Sequence, residues 1–170
     1  AAERKPDDVE VHRTHGALLE RLGKHAEAVE AWQRAVKLDE EEPKSLTRLG
    51  FNLSQVARWD DARKTLSRAV KIRPDIGEAF KWLGKACLEL DDLDAAKDHL
   101  TSALEIDSKW AEGFALSGRL HEKKGELPVA EERLGKAVEL DPEDASLKAL
   151  LGLVRVKIEK FGDAVPPLNA

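Results

Sequence analysis

The sequence predicts an all-α fold in which antiparallel helix hairpins stack one upon the next. Three observations carry this. Glycines recur every 34 residues, at Gly16, Gly50, Gly84, Gly118 and Gly152. Alanines keep the same step at Ala28, Ala62, Ala96, Ala130 and Ala164, and a second series runs Ala35, Ala69, Ala103 and Ala137. Between the two alanines stands a large apolar residue: Trp32, Leu66, Leu100, Leu134 or Leu168. Each period is one hairpin that cannot bury its apolar face alone and must be covered by its neighbours.

Within a unit the apolar spacing is helical. Leu46, Leu49, Gly50 and Leu53 follow the i, i+3, i+4, i+7 pattern, and Ala62, Leu66, Ala69 and Val70 form a second stripe beyond the polar break Arg58-Trp59-Asp60. No stretch alternates with the period of a strand. The units are therefore 9–42, 43–76, 77–110, 111–144 and a truncated 145–170, with residues 1–8 as the end of a preceding helix or a cap. First helices are expected near 9–22, 43–57, 77–90, 111–124 and 145–159, and second helices near 25–38, 59–72, 93–106, 127–140 and 161–170. Pro166-Pro167 should weaken the last of these. The array reads as cut at both ends from a longer protein.

A glycine in mid-helix costs roughly 1 kcal/mol relative to alanine. Five in one register imply close approach of the paired helices, with Trp32, Leu66 and their equivalents filling the space beyond.

Composition narrows the function classes. The chain is 42% hydrophobic and 36% charged, with 28 basic and 33 acidic residues and a net charge of −5. That balance lacks the positive field that gathers phosphate backbones, which argues against nucleic acid. No apolar run approaches membrane-spanning length, and Ala1-Ala2-Glu3-Arg4-Lys5-Pro6 is no signal peptide. A lone cysteine, Cys87, excludes an internal disulfide framework and fits a reducing, cytoplasmic compartment.

The repeat resembles the tetratricopeptide repeat (TPR) family, with a small residue in helix A, two alanines in helix B and a closing proline such as Pro74 or Pro142. The segment WDDARKTLSRAVKIRP, from Trp59 to Pro74, is similar to the family's helix B almost throughout. His12 and His15 depart from it, standing where the family prefers bulky apolar residues. The resemblance implies a right-handed superhelical solenoid whose helix A residues line a concave groove for protein or peptide segments. By register that groove includes Thr47, Ser54, Leu88, Ala115 and Leu116, and its candidate anchor is Phe51 with Trp82, ringed by Arg48, Lys81, Lys85 and Arg119. The carboxylate clamp of co-chaperone TPR domains needs asparagines, but the slots read Arg13, Ala17 and Arg48, or Lys81, Lys85 and Leu116.

The fifth unit adds a second candidate surface. LKALLGLVRVKIEK is too apolar for one buried stripe, so Leu150, Leu153 and Val156 are candidates either for self-association into a homo-oligomer or for cover by a following unit. The closing FGDAVPPLNA resembles the last helix of the TPR scaffolds of bacterial magnetosomes. That resemblance implies self-assembly and peripheral attachment, through partners, to the cytoplasmic face of the organelle membrane. The other reading is the repeat arm of a larger enzyme, such as a TPR-bearing glycosyltransferase.

Catalytic chemistry finds no constellation, and no cofactor is expected. His12 and His15 lie one turn apart without a third metal ligand, and His121 opens HEKKG rather than a paired-histidine motif. His25 and His99 show no evident partner. Cys87 holds a packing position, and the acidic turn from Asp91 to Asp94 suits the start of the next helix.

Overall fold

Two of the helices begin where the sequence supplies a side-chain acceptor for the first free N–H groups. Asp8 caps α1 (Val9–Arg21) by accepting from the Glu10 amide at 2.9 Å. Glu42 caps α3 (Pro43–Gln55) by accepting from the Lys44 and Ser45 amides, with Pro43 at the first position. The intervening helices are α2 (His25–Leu38) and α4 (Trp59–Ile72). They are followed by α5 (Gly77–Glu89), α6 (Leu93–Ile106), α7 (Ala111–Lys123) and α8 (Leu127–Leu140). The computed structural model describes residues 8–164, the side chains of 161–164 excepted. Among the described residues every regular element is an α-helix.

The turn from helix A to helix B is also periodic. Gly23, Ala57, Asp91 and Gly125 have φ of 70°, 56°, 61° and 76°, each 34 residues after the last. Ala57 and Asp91 adopt a left-handed conformation that disfavours side chains, held there by the helices packed on either side. The next residue in register is Glu159, and it stays helical.

This corrects the expected fifth hairpin. The last element, α9 (Ala145–Ala164), is one continuous helix with no turn before residue 161. Alanine, a better helix former, takes this turn at Ala57, where α4 packs back on α3, whereas no described helix follows α9 to hold Glu159 in a left-handed turn. Residues 1–7 and 165–170, with Pro166, Pro167 and Leu168, lie outside the described residues.

The described residues form two compact units, one up to Ser102 and one from Ala103. In the first, Leu46, Leu53, Leu66, Leu83 and Leu100 are all but fully buried, each contributing about 2 kcal/mol of apolar burial. In the second, Ala130, Leu134, Ala137, Leu147, Leu151 and Val154 make one core.

The glycine register has the steric basis the sequence implied. A Cβ on Gly16 would stand 2.7 Å from the Trp32 indole, and one on Gly50 would stand 2.3 Å from Leu66. Gly84 meets Leu100 at 2.8 Å and Gly118 meets Leu134 at 2.6 Å. Among the described residues nothing lies within 4 Å of a Cβ added at Gly152.

Candidate functional site

Helices α1, α3 and α5 present one face in the first unit, and it carries most of the residues singled out from the sequence. Phe51 and Trp82 are neighbours there, with ring centroids 4.8 Å apart at 58°. Both are half-buried, so neither is a fully covered core ring. The Lys85 ammonium lies 5.2 Å from the Trp82 ring centre, within cation–π range. Arg48, one turn before Phe51, pairs with Glu20 at 3.5 Å and Glu78 at 3.2 Å. Its charge is thus shared between the preceding and following A helices. Lys81 lies beside Trp82 in sequence and is half-buried. Arg119 lies on α7 in the second unit, where it too is half-buried.

Of the residues assigned to the groove by register, Thr47, Ser54, Leu88, Ala115 and Leu116 are instead buried. Thr47 and Ser54 turn their hydroxyls back onto the carbonyls of Pro43 and Gly50, and Leu88 is fully covered. A hydroxyl bonded to its own helix four residues back needs no outside partner, so it packs.

Sequence reasoning missed the polar network beneath the aromatic pair. Asn52 is fully buried, and its side-chain amide donates to Glu20 at 2.7 Å and to the Arg48 carbonyl at 2.8 Å. Its oxygen meets His25 Nδ1 at 2.9 Å, and the His25 ring stands edge-on to Phe51 with centroids 5.6 Å apart. His25, expected to have no partner, therefore links the buried amide to the aromatic pair. A polar Asn52 on an otherwise apolar stripe was the available signal, since a buried amide must find partners.

Arg13 organises the other end of this face. It donates to Ser45 at 3.1 Å and to Asp39 at 2.7 Å, and also pairs with Glu10 and Glu42. Burial opposes its charge, but hydrogen bonds to Glu10 and Asp39 outweigh that and raise its pKa. Burial likewise opposes ionised Glu42. Hydrogen bonds from Ser45 and Lys44, with the charge of Arg13, prevail and hold its carboxyl below the usual range.

In the second unit, Leu150 packs against the local core, whereas Leu153 and Val156 are 60% and 47% exposed. Lys157 reaches Glu122 and Arg155 reaches Glu131, pinning α9 to its own unit. A cleft of about 890 Å³ opens beside the end of α9, lined by Leu127, Pro128, Lys157 and Ile158 among others.

Four of the remaining chemical candidates, Cys87, His99, His121 and Asp92, are accounted for by the fold. Cys87 is 1% exposed, and burial with the nearby Asp92 pushes its thiol up to about 11. His99 tilts against Phe80 at 6.0 Å and its pKa is lowered by burial, while His121 bonds Glu126. Asp92 accepts from the Ala95 amide at the start of α6 and pairs with Arg63. Among the described residues no three histidine, cysteine or acidic side chains come together to hold a metal, and no helix is long and apolar enough to cross a membrane.

Family models described as tetratricopeptide repeat match residues 14–42 and 47–109, together more than half the chain. The chain belongs to the tetratricopeptide repeat family. Among solved structures it is similar to MamA, residue 41 to the end, from Desulfovibrio magneticus RS-1. That match has 21% identity over 94% of this chain and 90% of that one, with a TM-score of 0.82. Another MamA crystal structure is 24% identical over 85% of this chain and 84% of that one, with a TM-score of 0.77. YrrB, described as a TPR protein with an unusual peptide-binding site, is 20% identical over 90% of this chain and 79% of that one, with a TM-score of 0.74. At these identities the likeness is one of fold. No curated protein matches the chain in sequence. In TPR terms α1, α3, α5, α7 and α9 are the A helices, and the chain is an all-α helical-repeat protein of the scaffold type that engages other proteins.

Proposed function

We propose that this TPR chain is a non-enzymatic scaffold that binds partner segments on the A-helix face of its first unit and assembles with copies of itself through α9. The observation that carries the first part is the half-buried Phe51–Trp82 pair, flanked by Arg48 and Lys85. Two aromatic faces held by an internal polar network, with cations at the rim, suit a large apolar side chain on an extended segment. Lys81 belongs to the same proposed surface by repeat register. The second part rests on Leu153 and Val156, exposed side by side on α9, with Leu150 behind them. Likeness to MamA and the resemblance of FGDAVPPLNA to magnetosome TPR scaffolds support a cytoplasmic protein held peripherally at an organelle membrane by its partners.

Two measurements test this. Random dodecapeptides displayed on phage and selected on the protein should converge on sequences with an apolar anchor, and those clones should fail to bind Trp82→Ala. Equal recovery on both proteins, or no convergence, overturns the binding surface. Light scattering over a concentration series should show assembly that Leu153→Glu abolishes. A strict monomer overturns self-association.

A further inference from the structure

Four of the five register glycines are filled from within the chain. Gly16, Gly50, Gly84 and Gly118 each lie against a large side chain of the following helix: Trp32, Leu66, Leu100 or Leu134. Helix α9 runs on without a turn, and among the described residues nothing occupies the equivalent place at Gly152. The helix thus offers a seat for an apolar side chain beside two apolar side chains of its own, Leu153 and Val156, that stand largely in solvent. These groups share one face. Leu147, Leu151 and Val154 turn one side of α9 into the core of its unit. The opposite side carries Ala149, Gly152, Leu153 and Val156, all exposed, at i, i+3, i+4 and i+7. That is the footprint one helix presents where another crosses it.

The footprint is complementary to itself when reversed. With a two-fold axis between Gly152 and Leu153, Leu153 of each copy falls opposite Gly152 of the other, and Val156 falls opposite Ala149. Both large side chains then meet small ones, as Leu66 meets Gly50 within the chain. The charges at the rim agree with that direction. Antiparallel α9 helices bring Lys148 of one copy level with Glu159 of the other, and Lys160 level with Ala145, beside Glu143 and Asp144. Parallel helices would instead set Lys148, Glu159 and Lys160 each against its own copy. Arg155 and Lys157 are already taken by Glu131 and Glu122 of their own unit. We propose that the occupant of this face is α9 of a second copy, packed antiparallel across Gly152 into a closed two-fold dimer. Such a contact uses the same patch on both partners, so it stops at two copies. This rests on the reading that α9 mediates self-assembly, and it adds which surface meets which and the number of copies joined.

Two measurements separate this dimer from self-association in general. Ala149→Cys and Val156→Cys proteins, mixed and oxidised with copper–phenanthroline, should form a crosslinked dimer that neither forms alone, because a disulfide needs Cα atoms within about 7 Å. Cys87 is covered in both, and the unaltered chain should give no crosslink. Lys148→Glu should weaken the dimer seen by light scattering about tenfold, and adding Glu159→Lys to the same chain should restore it. Crosslinking of either cysteine protein alone overturns the antiparallel order and leaves self-association through α9 standing. So does assembly that Leu153→Glu abolishes but that grows past two copies. A weakening that Glu159→Lys fails to reverse likewise overturns the proposed pairing. A monomer at every concentration overturns both readings.

Discussion

The same three positions of the A helix read Arg48, Phe51 and Ser54 in α3 but Leu150, Leu153 and Val156 in α9. In α3 each finds a partner. Arg48 bridges two glutamates, Phe51 meets Trp82 and His25, and Ser54 bonds its own helix and is buried. In α9 only Leu150 reaches the core of its unit, and the other two leucine-type positions stand in solvent. A repeat therefore fixes where a side chain stands, but the adjoining helices decide whether that place is a core, a polar network or an open surface. The polar version builds a shaped recognition face. The apolar version exposes area that gains most from being covered.

The sharpest way to break this comparison is through the glycines. Gly50 and Gly152 occupy one register position, yet Leu66 crowds the first while nothing among the described residues crowds the second. Gly50→Ala should cost about 2 kcal/mol through overpacking, and Gly152→Ala should gain up to about 1 kcal/mol from helix propensity. Urea titrations measure both, and equal effects at the two sites would mean that the register alone governs packing.

Asn52→Ala comes next, with an expected loss of about 2 kcal/mol, because it strands Glu20 and His25 around a buried void. Its effect should also reach the aromatic face, read as a shift in Trp82 fluorescence. A stability change below about 0.5 kcal/mol would reduce the network to surface decoration.

The smallest effect is a pH dependence. The folded state holds the Glu42 carboxyl below the usual carboxylate range. The stability this confers is complete above the unfolded value and is lost as pH falls through the folded one. Glu42→Gln should flatten the acid limb of the stability curve in that window. An unchanged slope would assign acid sensitivity to other carboxylates.

Much of the fold was legible because its determinants are local and periodic. The glycine series, its apolar counterparts at Trp32, Leu66, Leu100 and Leu134, and the starts of α1 to α8 follow from residue type at fixed spacing. The adjacency of Phe51 and Trp82 followed from the same register. The His25–Asn52–Glu20 network was not legible, because its members are joined across three helices and occur in one unit only. Nor was the course of α9. The turn position accepts glycine, alanine or aspartate elsewhere, so Glu159 gave no local sign of whether the helix would break.

Cys87 gives the first unit an internal clock. With its thiol pushed to about 11 by burial and by Asp92, and its side chain 1% exposed, it is both protonated and shielded in the closed fold. An alkylating reagent can mark it only in the fraction of molecules whose α5 has momentarily come away. Because the chain has a single cysteine, every label added counts one such excursion. The rate of labelling thus gives the frequency of local opening beside the aromatic face without any engineered probe.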